Sequence, residues 1–117
     1  MVYKVAVASS DGKRINAHFN RTRQFLIYDL QTDGASRYVE SRLHVPANPS
    51  GEHNEDALQK TFRLVSDCDI VLVGQIGSRA ERLLNQQGIR TFTIYDDIEK
   101  TLGKLADFYR KTHQNRG

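Results

Sequence analysis

Apolar residues in the first part of the chain are spaced as they are in β-strands. The run from Val2 to Ala8 is apolar except for Lys4 and is rich in valine, which predicts a buried strand. Gln24 to Leu30 (QFLIYDL) predicts a second strand through its aromatic and β-branched residues. Thr32-Asp33-Gly34 then predicts the turn of a hairpin, so the next strand should pair antiparallel with the second.

After this turn, apolar and polar side chains alternate with a period of two, which predicts a third strand near a sheet edge. One face is mostly apolar and the other faces water. The two faces are Val39, Ser41, Leu43 and Val45 on one side, and Tyr38, Glu40, Arg42 and His44 on the other. Pro46 to His53 contains both prolines of the chain and predicts a crossover loop.

Helical spacing replaces the strand pattern from Asn54 onward. Leu58, Phe62 and Val65 lie at i, i+4 and i+7, which predicts a helix ending near Ser66. The continuous apolar run Ile70 to Val73 predicts a central parallel strand with helices covering both of its faces.

The last third of the chain predicts two more helices around a short strand. Ser78 and Glu81 form a capping-box pattern, and Gly88 marks the end of that helix, whose core positions are Ala80, Leu83 and Leu84. Ile89 to Ile94 predicts a strand. The Asp96 and Glu99 pair repeats the capping pattern before a helical stripe of Ile98, Leu102, Leu105 and Tyr109.

The element order βββαβαβα predicts an α/β fold in which helices flank a mixed five-stranded sheet. A length of 117 residues fits one domain, predicted over residues 1–112, with residues 113–117 as a frayed tail. Hydrophobic residues make up 38% and charged residues 26% of the chain, as in ordinary globular proteins.

Composition also narrows the compartment and the metal chemistry. No apolar run approaches the roughly 20 residues that cross a bilayer, and the N-terminus lacks a signal-peptide pattern, so we expect a cytoplasmic protein. Cys68 is the only cysteine, which excludes an intrachain disulfide and a four-cysteine metal site. We expect Cys68 to be buried rather than to bind a metal.

A candidate site follows from where loops leave the parallel strands. Ligands of open α/β sheets bind beyond the carboxyl ends of these strands, where Ser9–Thr22 and Gly74–Ser78 would meet if the first and fourth strands are neighbours. The first loop and its end carry the cationic candidates Lys13, Arg14, His18, Arg21 and Arg23, and the net charge is +3. Backbone amides at Gly77 and Ser78 open a helix and favour anions. These features predict a pocket for an anion.

Alternatives remain open at this site. His18 fits a metal ligand, but it equally fits a side chain that hydrogen-bonds its own loop while the cations form a solvated surface. His44 and His53 flank the proline-containing loop and could reach a metal, although their spacing matches no dedicated motif. The Gly74–Gly77 segment lacks the lysine of a phosphate-binding loop, so a nucleotide site is not predicted.

Two segments resemble a known family. KVAVASSDGKRINAHFNRTRQFLIYDL and CDIVLVGQIGSRAERLLNQQGI are similar to the two signatures of the dinitrogenase iron-molybdenum cofactor biosynthesis proteins, of the NifX and NifB C-terminal-domain type. The resemblance extends from Val2 to about Tyr109 and implies a ribonuclease-H-like fold. His18 matches the histidine of the family pattern, in which Phe and Gly follow. Here Phe19 and Asn20 follow, and we expect asparagine to tolerate the positive φ of such a turn.

This resemblance implies a carrier or chaperone that transiently binds an iron-sulfur-based cluster, such as the iron-molybdenum cofactor or a precursor, and passes it to other cluster-assembly proteins. His18 would be the metal ligand. Lys13, Arg14, Arg21 and Arg23 would balance the negative charge of the cluster, with Gly77 and Ser78 beside them. No catalytic residue is predicted, and neither a nucleic acid nor a membrane is an expected partner.

Two other functions are weighed against this carrier. A ribonuclease-H-like fold can hold a two-metal nuclease, but Asp11, Asp29 and Asp69 lie at the ends of elements with no evident reason to converge. An interaction module could instead use the basic loop to bind an acidic protein or a nucleic acid without a metal.

Overall fold

The computed structural model describes residues 2–45 and 55–114. Its elements follow the predicted order βββαβαβα. They are β1 (Val2–Ala8), β2 (Gln24–Gln31), β3 (Ser36–Leu43), α1 (Glu55–Val65), β4 (Ile70–Val73), α2 (Ser78–Gln86), β5 (Arg90–Thr93) and α3 (Ile98–Gln114). The predicted crossover loop Pro46 to His53 lies outside the described residues.

The five strands form one mixed sheet in the order β3-β2-β1-β4-β5. β1 pairs antiparallel with β2 and parallel with β4, and β4 pairs parallel with β5. The predicted hairpin between β2 and β3 is present: Gly34 has a φ of 105°, and the Asp33 carboxylate accepts a hydrogen bond from the Ala35 N–H. The predicted mixed α/β sheet is therefore confirmed.

Two apolar cores lie on opposite faces of this sheet. α1 and α2 pack over Ala6, Phe25, Ile27 and Val71, while α3 packs over the other face. The second core joins Val5, Val7, Leu26, Ile70 and Leu72 to the predicted stripe Ile98, Leu102, Leu105 and Tyr109. The second half of β1, from Val5 to Ala8, and the whole of β4 are covered on both faces and are continuously apolar, as expected of central strands.

The prediction that the polar face of β3 is the one facing water is wrong at the end of this strand, where the apolar face points away from the cores. Leu43 is 80% exposed, and Val45, just after the strand, is 88% exposed. The opposite, polar face is the one held to the protein, because Arg42 reaches α1 and His44 is buried. The register explains this orientation: Arg42 pairs with Phe25, whose ring belongs to the α1 core.

Arg42 fastens β3 to the segment between α1 and β4. Its guanidinium donates to both carboxylate oxygens of Asp67, at 2.6 and 3.0 Å, and to the Leu64 carbonyl oxygen at 2.8 Å. Glu40 accepts two further hydrogen bonds from the same group. The hydrogen bonds from Arg42 hold the pKa of Asp67 well below its usual range. This ion pair thus stabilises the fold above about pH 4, and the stabilisation is lost as the pH falls through the lowered pKa.

The two predicted capping boxes are wrong. Helix α2 begins at Ser78 with Gly77 as its N-cap, and no side chain caps it, so Ser78 is the first helical residue rather than the cap. Before α3, the Asp96 carboxylate accepts from the N–H of the next residue, Asp97, and the Thr101 N–H donates to the Asp97 carbonyl. The predicted end of α2 is confirmed, since Gly88 has a φ of 80°.

Helix α3 continues to Gln114, beyond the domain boundary predicted at residue 112. Residues 115–117 of the predicted frayed tail lie outside the described residues. None of the helices in the described ranges is long and apolar enough to cross a membrane.

Replacing Arg42 with methionine should lower the free energy of unfolding by about 1–3 kcal/mol, because charged hydrogen bonds at a largely buried guanidinium are lost. Arg37 on the same strand is the matched control. Its ion pair with Asp29 is 77% exposed on the arginine side, so Arg37→Met should change stability by less than about 0.5 kcal/mol. Urea unfolding at pH 7 measures both, and equal midpoints for the two variants would contradict this role of Arg42.

Candidate functional site

Two loops meet at the edge of the sheet where β1 and β4 end, because these two strands are neighbours. The Phe19 N–H donates to the Gln75 carbonyl at 2.9 Å, and the Gly74 N–H donates to the Ala17 carbonyl at 2.9 Å. His18 and Gln75 form an isolated parallel bridge. The backbone of the first loop therefore pairs in parallel with the residues that follow β4. His18 lies at this junction of the two loops.

Gly74 permits this close approach of the two loops. A Cβ atom at this position would lie 3.0 Å from the Asn16 carbonyl carbon and 3.2 Å from the Ala17 nitrogen, both of them backbone atoms. Such contacts are tighter than nearly all contacts of real Cβ atoms, so the backbone of Asn16 and Ala17 would have to shift by a few tenths of an ångström. The sequence pattern Gly74–Gly77 was considered only as a phosphate-binding loop, and it gives no sign of this packing role of Gly74.

The first loop is held on both sides of His18. Ile15 and Phe19 are fully buried, in the α3 core and the α1 core respectively. At the start of the loop, the Asp11 carboxylate accepts hydrogen bonds from the N–H groups of Lys13 and Arg14 at 2.8 and 2.9 Å. The position of His18 is thus set by packing on both faces of the sheet.

The His18 imidazole is half-buried and bonded to its own loop through one nitrogen. Nδ1 accepts a hydrogen bond from the Asn20 N–H at 3.0 Å, and the His18 carbonyl accepts from the N–H groups of Arg21 and Thr22. Within the described ranges, Nε2 has no hydrogen-bond partner. Burial lowers the pKa of His18 below its ordinary value of 6.5, and the nearby positive charge of Arg21 lowers it further.

The predicted group of cations around His18 is divided in the structure, which corrects the idea of one basic pocket. Arg21 lies close enough for its positive charge to lower the pKa of the His18 imidazole. Lys13 and Arg14 lie beside the start of α3, where the Ile98 N–H donates to the Lys13 carbonyl and Arg14 pairs with Asp97 at 3.8 Å. No hydrogen bond or ion pair among the described residues joins either of them to His18.

Arg23 is exposed and forms the far end of the loop, where its carbonyl accepts from the His44 N–H. Gly77 and Ser78 are exposed at the start of α2, shortly after Gln75. The second loop therefore brings the N-terminus of α2 to the same edge of the sheet as His18.

His44 is not available as a metal ligand, because both ring nitrogens are bonded inside the protein. Nδ1 lies 2.6 Å from the Thr22 carbonyl oxygen, and Nε2 lies 2.9 Å from the Thr61 hydroxyl. His53 lies outside the described residues. Cys68 is buried as predicted, and burial together with the Asp67 carboxylate raises the pKa of its thiol to about 12.

The three carboxylates considered for a nuclease are held in separate places. Asp11 binds backbone N–H groups of its own loop, Asp29 pairs with Arg37, and Asp69 accepts from the Lys4 N–H. Across the described part of the chain, no group of three or more His, Cys, Asp or Glu side chains is arranged to hold a metal ion.

Comparison with known proteins decides the family. Residues 1–107 match the family model described as dinitrogenase iron-molybdenum cofactor. The chain belongs to this family. The family resemblance predicted from the two sequence signatures is thereby confirmed.

Relatives of this family member include the FeMo cofactor biosynthesis protein NifB of Frankia alni, which is 34% identical over 90% of the chain. Protein NifY of Klebsiella pneumoniae is 35% identical over 64% of the chain. The chain spans 21% of the length of this NifB and 31% of NifY. The chain therefore corresponds to only a part of each.

Solved structures show the same fold. The crystal structure of PH0822 is 29% identical, covers 88% of each chain and superposes with a TM-score of 0.60. A crystal structure from Methanocaldococcus jannaschii covers 92% of this chain and 91% of its own, with a TM-score of 0.62 at 14% identity. The latter likeness concerns the fold alone.

Asn20 stands where the family pattern described above has glycine, but the structure does not need a positive φ there. No non-glycine residue in the described ranges has a positive φ, so the expected tolerance of asparagine for that conformation is not used. The backbone N–H of Asn20, rather than its side chain, makes the contact with His18. The alternative in which His18 hydrogen-bonds its own loop is thus present at Nδ1, although the sequence did not indicate Asn20 as the partner.

Gly74→Ala should lower the free energy of unfolding by about 1–3 kcal/mol and shift the backbone of the first loop, because the added methyl group presses against the backbone of Asn16 and Ala17. Gly77→Ala is the control: its added Cβ meets nothing within 4 Å, so it should leave the amide shifts of His18 and Phe19 unchanged. Thermal unfolding and amide NMR spectra test the pair. Undisturbed His18 shifts in Gly74→Ala would count against the packing role.

The NMR titration midpoint of the His18 ring should lie below 6.5, because burial and Arg21 disfavour its cationic form. The unfolded chain takes up this proton more readily, so the folded state should lose stability as the pH falls through about 6.5. Arg21→Gln should raise the midpoint partway. A midpoint at or above 6.5 in the intact protein would show that the ring is not in this environment.

Proposed function

We propose that this chain is a small carrier, not an enzyme, that transiently binds an iron-sulfur-based cluster or its precursor and delivers it during assembly of a nitrogenase-type cofactor. The supporting observation is the placement of His18 at the junction of the two loops beyond β1 and β4, with Nε2 unpartnered among the described residues. Membership in the dinitrogenase iron-molybdenum cofactor family supplies the class of cargo.

The charge at this junction suits an anionic cargo. Metal-sulfur clusters in proteins commonly carry net negative charge, which Arg21 beside His18 would offset. In the described part of the chain no side chain caps the start of α2 at Gly77 and Ser78, so the N-terminus of this helix adds partial positive charge at the same edge. Lys13, Arg14 and Arg23 would contribute at longer range, since Lys13 and Arg14 lie beside the start of α3 and Arg23 lies at the far end of the loop.

Transient binding is consistent with the small number of groups at the site. Cys68 is buried with a raised pKa, and His44 is occupied by Thr22 and Thr61, so neither adds a further ligand. A site built on one imidazole and nearby positive charge holds its cargo less firmly than several thiolates would. The cargo can then pass to a protein that offers more ligands.

The same proposal includes the cytoplasm as the compartment and proteins of the cofactor-assembly machinery as partners. We also propose that the fold is ribonuclease-H-like, as predicted from the family resemblance. The mixed sheet with α1 and α2 on one face and α3 on the other is compatible with that assignment.

Anaerobic reconstitution with an iron-sulfur cluster tests the carrier. The wild-type protein should retain the cluster through a desalting column, as followed by absorption spectra and metal analysis. His18→Ala should weaken retention roughly tenfold or more, since a contact with a charged partner contributes about 1.5–3 kcal/mol. Arg21→Gln should weaken it by a smaller factor that shrinks as salt is added.

Arg37→Gln is the control for this experiment, because Arg37 is exposed on β3 and pairs with Asp29 away from the loops. Its cluster retention should equal that of the wild type. Equal retention by wild type and His18→Ala would remove His18 from the site, and failure of the wild type to retain any cluster would refute the carrier.

A further inference from the structure

The hydrogen bond from Asn20 fixes which nitrogen of the His18 ring carries the proton. A backbone N–H can only donate, so Nδ1, 3.0 Å away, must present its lone pair. A ring whose Nδ1 accepts a hydrogen bond cannot be the cation that is protonated on both nitrogens, so it is the neutral form. In a neutral imidazole one nitrogen is protonated and the other is not. The proton of His18 therefore resides on Nε2.

This arrangement is the reverse of the one that supports a metal ligand. A histidine that binds a metal through one nitrogen almost always donates the N–H of its other nitrogen to a carboxylate, a carbonyl or water. The other nitrogen of His18 accepts instead. Ligation through Nε2 would require the proton to move to Nδ1, where it would face the Asn20 N–H, and two donors would oppose each other at 3.0 Å.

His44 shows the contrast within the same molecule. Its Nδ1 lies 2.6 Å from the Thr22 carbonyl, which can only accept, so His44 must carry a proton on Nδ1. That is the tautomer suited to a metal on Nε2, but this nitrogen is buried against Thr61. Of these two histidines, the partly exposed His18 therefore offers an N–H donor at Nε2. His44 has the tautomer suited to a metal ligand, but it is buried.

We infer that His18 binds its ligand as a hydrogen-bond donor through Nε2–H, and that the ligand is an anion whose outer sulfide or oxygen atoms accept this bond. The inference rests on the proposed function and specifies how the cargo is held: by its outer acceptor atoms, with no bond from the protein to a metal. Hydrogen bonds to sulfide are a recognised contact of metal-sulfur clusters. Asn20 is a positioning residue that acts through its backbone.

The tautomer is tested directly by NMR. In ¹⁵N-labelled protein at pH 7.5, long-range correlations of the His18 ring should show Nδ1 unprotonated and Nε2 protonated. Asn20→Gly removes the side chain but keeps the backbone N–H, so it should leave this protonation pattern unchanged. A changed pattern in this variant would mean that the Asn20 side chain, rather than its backbone, fixes the tautomer. A protonated Nδ1 in the wild-type protein would overturn the inference.

Two probes then separate a donor from a metal ligand. Tetrathiomolybdate is an anion whose metal is already surrounded by four sulfides, so it offers acceptors but no open coordination position. It should bind and shift the Nε2–H signal, whereas Co²⁺ alone should not bind the ring at Nε2. Binding of Co²⁺ at Nε2, or no effect of tetrathiomolybdate on His18, would overturn the donor role.

Substitution supplies a third readout. The amide of glutamine places an N–H donor where Nε2 lies but is a poor metal ligand, so His18→Gln should bind tetrathiomolybdate within about threefold of the wild type. His18→Ala should lose roughly tenfold or more. Equal loss in both variants contradicts a donor role. If iron-sulfur cluster retention depends on His18 and glutamine does not restore it, the carrier stands and this inference fails.

If the wild type retains no iron-sulfur cluster, the carrier fails. The NMR pattern and the tetrathiomolybdate titration would then still decide the tautomer and the donor role, so the two failures are distinguishable.

Discussion

The parallel pairing of β1 with β4 is the constraint on which the site depends. Val5, Ala6 and Val7 pair with Ile70, Val71 and Leu72, and all six side chains are buried. A slip of one residue would turn every buried side chain to the other face, so this register is strongly specified. It brings the ends of both strands to one edge, where the first loop pairs with the second over Gly74 and places His18 beside Gln75.

Features governed by two-sided burial could be predicted from the sequence. The apolar run of β4 predicted a central parallel strand, and the rule that ligands bind beyond such strands located the meeting of the two loops and His18 within it. The prediction of a central parallel strand succeeds because burial of a continuous apolar strand leaves few alternatives for its neighbours. The order of the elements followed from the same periodicities.

Features that depend on distant partners could not be predicted in this way. The alternation in β3 identified two faces but predicted the wrong one to face water at the end of the strand, because Arg42 finds its acceptors at Leu64 in α1 and at Asp67 just after it. The charges of the first loop were read as one group for the same reason. Asp97, far along the chain, pairs with Arg14 and draws it toward α3.

The Asn20 contact shows why a departure from a family pattern need not disturb a site. Every residue except proline supplies a backbone N–H, so glycine and asparagine offer His18 the same donor at this position. The side chain has a separate effect: Asn20 Oδ1 is buried without a partner among the described residues, a condition that costs about 1–3 kcal/mol. Asparagine in place of glycine at position 20 therefore lowers the stability of the loop. It does not change the tautomer of His18, which is set by the backbone N–H.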